Sequence, residues 1–340
     1  MGNQKLEKNK ATREPIIEEP PKVILICYQV QINETSGTDF ILLGLSFDIK
    51  HINLFIGVML LIYIVALILN SILILLIWMD SYFHKPMYFL LSQVALMDLI
   101  LISSFVLLIN FVSKMPINFF SGRRNISRSD CGTQIFFFLT LGIAECILIT
   151  LMSYDRYVAI CNPLRYVIIM SHRVCVQMAA FSWAGGVITS LVHSTYAMHF
   201  PTCGSREISP FLCELTAVLK LACEDISAYE RAVVVTSIMV LLISLSLIFS
   251  SFALIFLAIL HMNSPEGRNK ALTTCSSHLS VVCLYYGPAI VIYMRLSSYH
   301  NAKLDQVLFI LGPILTPMLN SLIYSLRNKE VVWALRKVLG

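Results

Sequence analysis

Two carboxylic acids stand inside stretches otherwise almost free of charge: Asp98, within 86–113, and Glu145, within 131–154. Each sits about halfway along its stretch. Acids at membrane depth are costly and usually functional. Face to face, this pair would bind a cation such as sodium or share one proton. Kept apart, each would be a structural acid satisfied by its own hydrogen bonds. Asn70 and Asn320 could complete a polar cluster at similar depth. His278 is a lone histidine in another apolar stretch, where packing is the expected role. His193 and His199 are expected near an interface. The chain carries no Ser-His-Asp order, HExxH pair or Walker glycine loop, so an enzymatic reading has nothing to rest on.

The elements that would hold these groups follow from composition. Of 340 residues, 57% are hydrophobic and 13% charged, whereas soluble domains carry about 25% charged residues. One soluble core could not hide so much apolar surface, and the same figures exclude disorder. Crossing a bilayer takes roughly 20 apolar residues. Seven such stretches occur, at about 52–79, 86–113, 131–154, 174–200, 232–260, 271–294 and 306–326. They are too long and too uniformly apolar for barrel strands, and no transporter-like repeat is visible. The expected fold is an all-α membrane protein: a seven-transmembrane helix bundle with a short C-terminal amphipathic helix. Residues 1–51 would be an extracellular N-terminal tail, 52–326 the bundle, and 327–340 a cytoplasmic tail with a juxtamembrane helix. In that helix Val331, Val332, Leu335, Val338 and Leu339 are apolar, while Lys329, Arg336 and Lys337 can face anionic membrane lipid. The net charge of +5 is spread out, which argues against a nucleic-acid partner.

An odd number of spans puts the termini on opposite sides. Lys and Arg are spread over both sides, so the positive-inside rule does not orient the chain. Two glycosylation sequons, at Asn33 and Asn125, and four cysteines, Cys131, Cys203, Cys213 and Cys223, share one side when the C-terminus is placed inside. Extracellular cysteines can oxidise, and four allow three pairings. The other six are expected to be buried small hydrophobes or, at the N-terminus, a tail thiol.

Four motifs are ordered along these spans. Pro86–Ser92 (PMYFLLS) opens the second. Met152–Cys161 (MSYDRYVAIC) closes the third, followed by Asn162–Tyr166 (NPLRY). Lys270–Leu279 (KALTTCSSHL) opens the sixth, and Pro317–Asn328 (PMLNSLIYSLRN) closes the seventh. From about residue 33 to 340 the chain resembles the odorant (olfactory) receptors, a branch of the rhodopsin-like G-protein-coupled receptors. The resemblance implies a plasma-membrane receptor with its N-terminus outside and C-terminus cytoplasmic. Its partners would be a small volatile odorant and a heterotrimeric G-protein that stimulates adenylyl cyclase. It implies that Asp155, Arg156 and Tyr157 couple to the G-protein, with Arg156 exchanging the Asp155 ion pair for a G-protein contact. It also implies disulfides Cys131–Cys213 and Cys203–Cys223, and it matches Asp98 and Glu145 to an intramembrane acidic pair. No cofactor is expected beyond a bound sodium ion.

A ligand would sit between the outer halves of the spans. Phe138, Leu139, Gly142 and Ile143 share one face of the third span, with Cys146 a turn deeper. Thr236 and Val240 are candidates from the fifth, and Tyr286, Ala289, Ile290 and Tyr293 from the sixth. Such a lining suits a weakly polar ligand with one hydrogen-bonding group rather than an amine. Three positions depart from the family pattern. Leu69 stands where a Gly usually precedes Asn70, Phe252 where the fifth span usually has a Tyr, and Ser321 where a Pro usually follows Asn320. They suggest low coupling output. One rival reading is an ion path through Asp98 and Glu145, although paired broken helices are absent. Another is a receptor-like protein that does not signal.

Overall fold

Backbone in lipid must satisfy its own hydrogen bonds, so a long apolar run closes into helix. The computed structural model describes residues 40–42, 52–79, 85–112, 124–202, 207–208, 213–294, 315–323 and 331. Six long helices follow in chain order: span 1 (Ile52–Met79), span 2 (Pro86–Val112), span 3 (Arg128–Cys161), span 4 (His172–His199), span 5 (Ser227–Leu260) and span 6 (Pro265–Met294). Residues 315–323 are helical within the seventh stretch, span 7. Spans 1 to 5 are long and apolar enough to cross a membrane by length and composition alone. The architecture is the expected all-α bundle.

Several helices overrun their apolar stretches. Span 3 continues to Cys161 rather than 154, span 5 begins at Ser227 rather than 232, and span 6 at Pro265 rather than 271. Spans 3 and 5 have 34 residues each, about 50 Å at 1.5 Å per residue. The hydrocarbon core is only about 30 Å thick, so their ends stand in water. Polar residues continue a helix once its apolar middle has nucleated it. Local signals fix the starts. Pro86 occupies the first position of span 2, where its missing N–H costs nothing. Ser127 caps span 3, its Oγ accepting from the backbone N–H of Asp130 at 3.1 Å. Pro288 lies inside span 6, where it removes one backbone bond.

Spans 3 and 4 come into backbone contact at Gly186. A Cβ there would lie 2.4 Å from the Thr140 carbonyl oxygen. One turn on, Ser190 Oγ meets Thr140 Oγ1 at 2.5 Å. Small residues that let backbones touch commonly drive helix association in lipid.

The rim opposite Arg156 carries a small sheet the sequence did not announce. Strand β1 (Phe40–Leu42) lies between β2 (Arg124–Ile126), antiparallel to it, and β3 (Glu207–Ile208), parallel to it. Phe40 pairs with Ile126, and Leu42 with Ile208. Phe40, Ile126 and Ile208 are buried in one cluster with Cys131 and Cys213. Those two cysteines form the disulfide that the resemblance implied. Gln134 Oε1 accepts from the Cys213 backbone N–H at 3.0 Å, pinning the same loop to span 3. Cys223 is also disulfide-bonded, and its expected partner Cys203 lies outside the described residues. Arg128 donates to the carbonyls of Met198 and Phe200 and so closes the end of span 4. His193 Nδ1 and Tyr229 Oη, 2.8 Å apart, tie span 4 to span 5.

Of the cysteines expected to be buried, Cys146, Cys175 and Cys275 are, but Cys161 is half-buried and Cys283 is exposed. Cys161 ends span 3 and packs beside Ile255, Ile259, Ala271 and Cys275, whereas Cys283 lies on a face of span 6 turned away from the core, where lipid tolerates a thiol as readily as protein does. Val331 is helical and packs at 1% exposure against Leu73, Tyr88 and Leu91 of spans 1 and 2. The rest of the expected juxtamembrane helix, the Asn33 sequon and Cys27 lie outside the described residues. Asn125 sits in β2, paired with Ile41.

Candidate functional site

Polar side chains gather in three groups within the bundle, two of them side by side at the depth of Glu145 and Cys146. The central level joins spans 1, 2, 3 and 7. Asn70, Asp98, Glu145, Asn320 and Ser321 are all buried there. Asn70 Nδ2 donates to the Ala66 carbonyl at 2.9 Å and to the Pro317 carbonyl at 3.3 Å. Ser321 donates to Asn70 Oδ1 at 2.5 Å, and Asn320 Nδ2 donates to Glu145 Oε1 at 3.2 Å. Asp98 lies close enough to Glu145 for their charges to interact, and it also lies against Asn320. The four residues that the sequence placed at similar depth therefore come together here. The sequence did not show that Ser321, read only as a missing proline, would be the partner of Asn70.

Among the described residues neither Asp98 oxygen nor Asn320 Oδ1 has a hydrogen-bond partner of good geometry. These hard oxygen atoms beside a second carboxylate are a donor set that suits a small cation of low charge. Among the described residues no group of three or more His, Cys, Asp or Glu is assembled, so the acidic part of this set is the pair alone.

The second level is at the end of span 3. Arg156 Nη2 lies 3.0 Å from Asp155 Oδ2, with both side chains buried. Tyr166, on the short helix Tyr166–Ile169, donates to Asp155 Oδ1 at 2.8 Å. Burial, and then the Asp155 charge, push the Tyr166 phenol well above its usual range, so it stays protonated and keeps donating. Tyr157 instead packs beside Ile255, Ile259, Ala271 and Cys275 of spans 5 and 6. His278 is buried beneath, its ring 6.0 Å from that of Phe252. Phe252 thus fills the space between span 5 and span 6 without offering a hydroxyl.

The third group begins at the depth of Glu145, since Cys146 is the next residue of span 3, and lies among spans 3, 5 and 6. Tyr286 Oη is 3.2 Å from Cys146 Sγ and 3.3 Å from Thr150 Oγ1. Cys146 Sγ also meets Ser244 Oγ of span 5 at 3.5 Å. Tyr285 donates to the Gly142 carbonyl. Spans 3, 5 and 6 are thereby linked through one thiol and several hydroxyls. Of the expected lining, Cys146 and Tyr286 are buried, and Phe138, Gly142, Ile143 and Ile290 are half-buried. Leu139 packs on the rim cluster. Thr236 and Val240 are exposed, and Thr236 Oγ1 bonds its own helix at the Ala232 and Val233 carbonyls. The side chains of Ala289 and Tyr293 lie outside the described residues. The sequence reading passed over Thr150, Ser244 and Tyr285. Thr150 falls one turn after Cys146 on the same face, a spacing that could have flagged it.

A buried ion pair at one end of span 3, a polar core among spans 1, 2, 3 and 7, and a hydroxyl and thiol cluster among spans 3, 5 and 6 together mark a seven-helix membrane receptor. The profile of the olfactory receptor family matches residues 59–340. Human olfactory receptor 2M5 is 47% identical over 309 residues, covering 91% of this chain and 97% of that protein. Mouse olfactory receptor 2V1 is 48% identical over 308 residues, covering 91% and 96%. Human olfactory receptor 2AJ1 is 48% identical over 307 residues, covering 90% and 92%. The chain belongs to the olfactory receptor family: it is a multi-pass plasma-membrane receptor of the odorant-sensing, G-protein-coupled class and not an enzyme.

Proposed function

We propose that this receptor binds a small, volatile, largely apolar odorant between spans 3, 5 and 6, and activates a stimulatory heterotrimeric G-protein. The observation that carries this reading is the Tyr286–Cys146–Ser244 cluster, which joins three helices. A ligand with one hydrogen-bonding group can compete for these hydroxyls and shift the helices against one another. At the other end, Asp155 holds Arg156 in its resting pair. Release of Arg156 toward the G-protein is the output, and Tyr157 sits where spans 5 and 6 would move. A ligand shifts this equilibrium only by as much as it prefers one state.

The termini are placed with the N-terminus outside and the C-terminus cytoplasmic. The Cys131–Cys213 disulfide supports this, because such bonds persist on the oxidising side. A sodium ion, or one shared proton, is assigned to Asp98, Glu145 and Asn320. The ion would neutralise the acidic pair and hold spans 2, 3 and 7 in the resting arrangement.

Coupling output is low in this reading. Phe252 offers no hydroxyl to a released Arg156, and Ser321 keeps residues 315–323 helical where a proline would bend them. An odorant screen in cells carrying an olfactory-type G-protein, read as cyclic AMP, tests the reading. The expected result is a weak response to a volatile ligand that grows in Phe252→Tyr with Ser321→Pro. Robust signalling by the unmodified receptor at ordinary surface levels would refute the low output. No response to any odorant, even from the corrected double variant at the surface, would refute the receptor function itself.

A further inference from the structure

Tyr285 and Tyr286 are neighbours on span 6, yet they serve different polar groups. Successive helix residues point about 100° apart. Tyr286 reaches Cys146, and through it Ser244 of span 5. Tyr285 instead donates to the Gly142 carbonyl of span 3. The two rings meet edge-on, 5.1 Å between centres. One helix carries both, so a rotation of span 6 that moves one moves the other.

Gly142 stands three residues before Glu145 on span 3, so the two share a face, about 4.5 Å apart along the axis. The Tyr285 phenol lies close enough to Glu145 and Asp98 for their charges to act on it. Its hydroxyl therefore stands where the Tyr286–Cys146–Ser244 cluster meets the acidic pair. Its hold there is replaceable. Within the helix the Gly142 carbonyl also accepts the N–H of Cys146, and Tyr285 uses the second lone pair. Space is open beside it, since a Cβ added at Gly142 would meet nothing within 4 Å. On Gly142, the phenol proton is spent on a carbonyl. Freed, the same O–H is a donor beside two carboxylates, and it takes an oxygen lone pair that a cation would otherwise use.

We propose that Tyr285 is the positioning residue that links the Tyr286–Cys146–Ser244 cluster to the acidic pair. With Tyr285 on Gly142, spans 3 and 6 are held together, Cys146 stays covered, and Asp98 and Glu145 are left to a cation. When Tyr286 leaves Cys146, span 6 carries Tyr285 off Gly142 and its hydroxyl turns to the acids in the cation's place. Such linkage is reciprocal, so a cation on the acids keeps Tyr285 on Gly142 and Cys146 covered. The inference rests on the sodium ion assigned above to Asp98, Glu145 and Asn320.

Purified receptor in phosphatidylcholine nanodiscs, with sodium chloride or choline chloride as the only salt, tests this without an odorant. Labelling of Cys146 by N-ethylmaleimide is followed by peptide mass spectrometry, and the melting temperature is read in parallel. Sodium should raise the melting temperature of the parent and slow labelling of its Cys146 about fivefold. Tyr285→Phe should still melt higher in sodium, yet label Cys146 at one rate in either salt. Asp98→Asn should lose both effects of sodium. Cys283, exposed on span 6, should label alike in both salts. Equal protection of Cys146 by sodium in the parent and Tyr285→Phe overturns the proposal and leaves the cation site standing. So does a parent that sodium stabilises without protecting Cys146, or one in which Cys283 is slowed as much as Cys146. A parent whose melting temperature ignores sodium overturns the proposal together with the cation assignment.

Discussion

Tyr166 donates to Asp155 Oδ1 at 2.8 Å while Arg156 holds the other oxygen, Oδ2, at 3.0 Å. One carboxylate is thus clamped from two directions, by its own helix and by the loop that follows. A hydrogen bond to a charged acceptor contributes about 1.5–3 kcal/mol. Tyr166→Phe removes it without changing the ring, so the resting pair loosens. Basal cyclic AMP per surface receptor should rise several-fold. A basal level equal to the parent would mean that Tyr166 does not brace the resting state.

Gly186 and Gly142 make a matched pair of tests. A methyl at Gly186 meets the Thr140 carbonyl at 2.4 Å, whereas nothing lies within 4 Å of one at Gly142. Gly186→Ala should therefore push spans 3 and 4 apart and cost about 1–3 kcal/mol, visible as a lower melting temperature of detergent-purified receptor. Gly142→Ala should melt normally yet change odorant potency, because its methyl enters the proposed ligand site. Similar melting temperatures for the two variants would contradict this packing.

Ser321 is bonded to Asn70 Oδ1 at 2.5 Å, deep between spans 1 and 7. Ser321→Ala leaves that buried oxygen without its donor, at about 1–3 kcal/mol. It should lower thermal stability without raising signalling. Ser321→Pro loses the same bond but adds a bend, so it should lower stability and raise odorant-evoked output together. If Ser321→Ala raised output as much as Ser321→Pro, the bend would not be the cause.

Asp98 and Glu145 form the proposed cation or proton site, with Asn320 between them. Asp98→Asn and Glu145→Gln each keep the shape and remove an ionisable group. Either should flatten the dependence of resting-state signalling on sodium or on pH. Parental sensitivity in both variants would remove the shared site.

What could be read from sequence was what depends on local pattern. Span positions follow from apolar run length. Asp98 and Glu145 were conspicuous because charge is rare in such runs. Arg156 and the Cys131–Cys213 bond came with the motifs. Tertiary pairings were harder to see. The β2–β1–β3 sheet uses strands of two or three residues, too short for any alternation to show. The Tyr166–Asp155 bond depends on how a loop folds back over span 3. Ser244 and Thr150 are ordinary helix residues until span 6 brings Tyr286 to them. The exposure of Thr236 likewise depends on the rotation of span 5, which an apolar run of nearly uniform composition does not encode.

The central claim is that an event at the proposed ligand site beside Tyr286 is felt at Arg156. The most direct measurement is odorant-evoked cyclic AMP in surface-matched cells, read beside binding of the same odorant to purified receptor. Tyr286→Phe should weaken both binding and response, whereas Arg156→Ala should abolish the response and leave binding near the parental value. An Arg156→Ala receptor that still signals, or a Tyr286→Phe receptor with unaltered binding and response, would contradict the account.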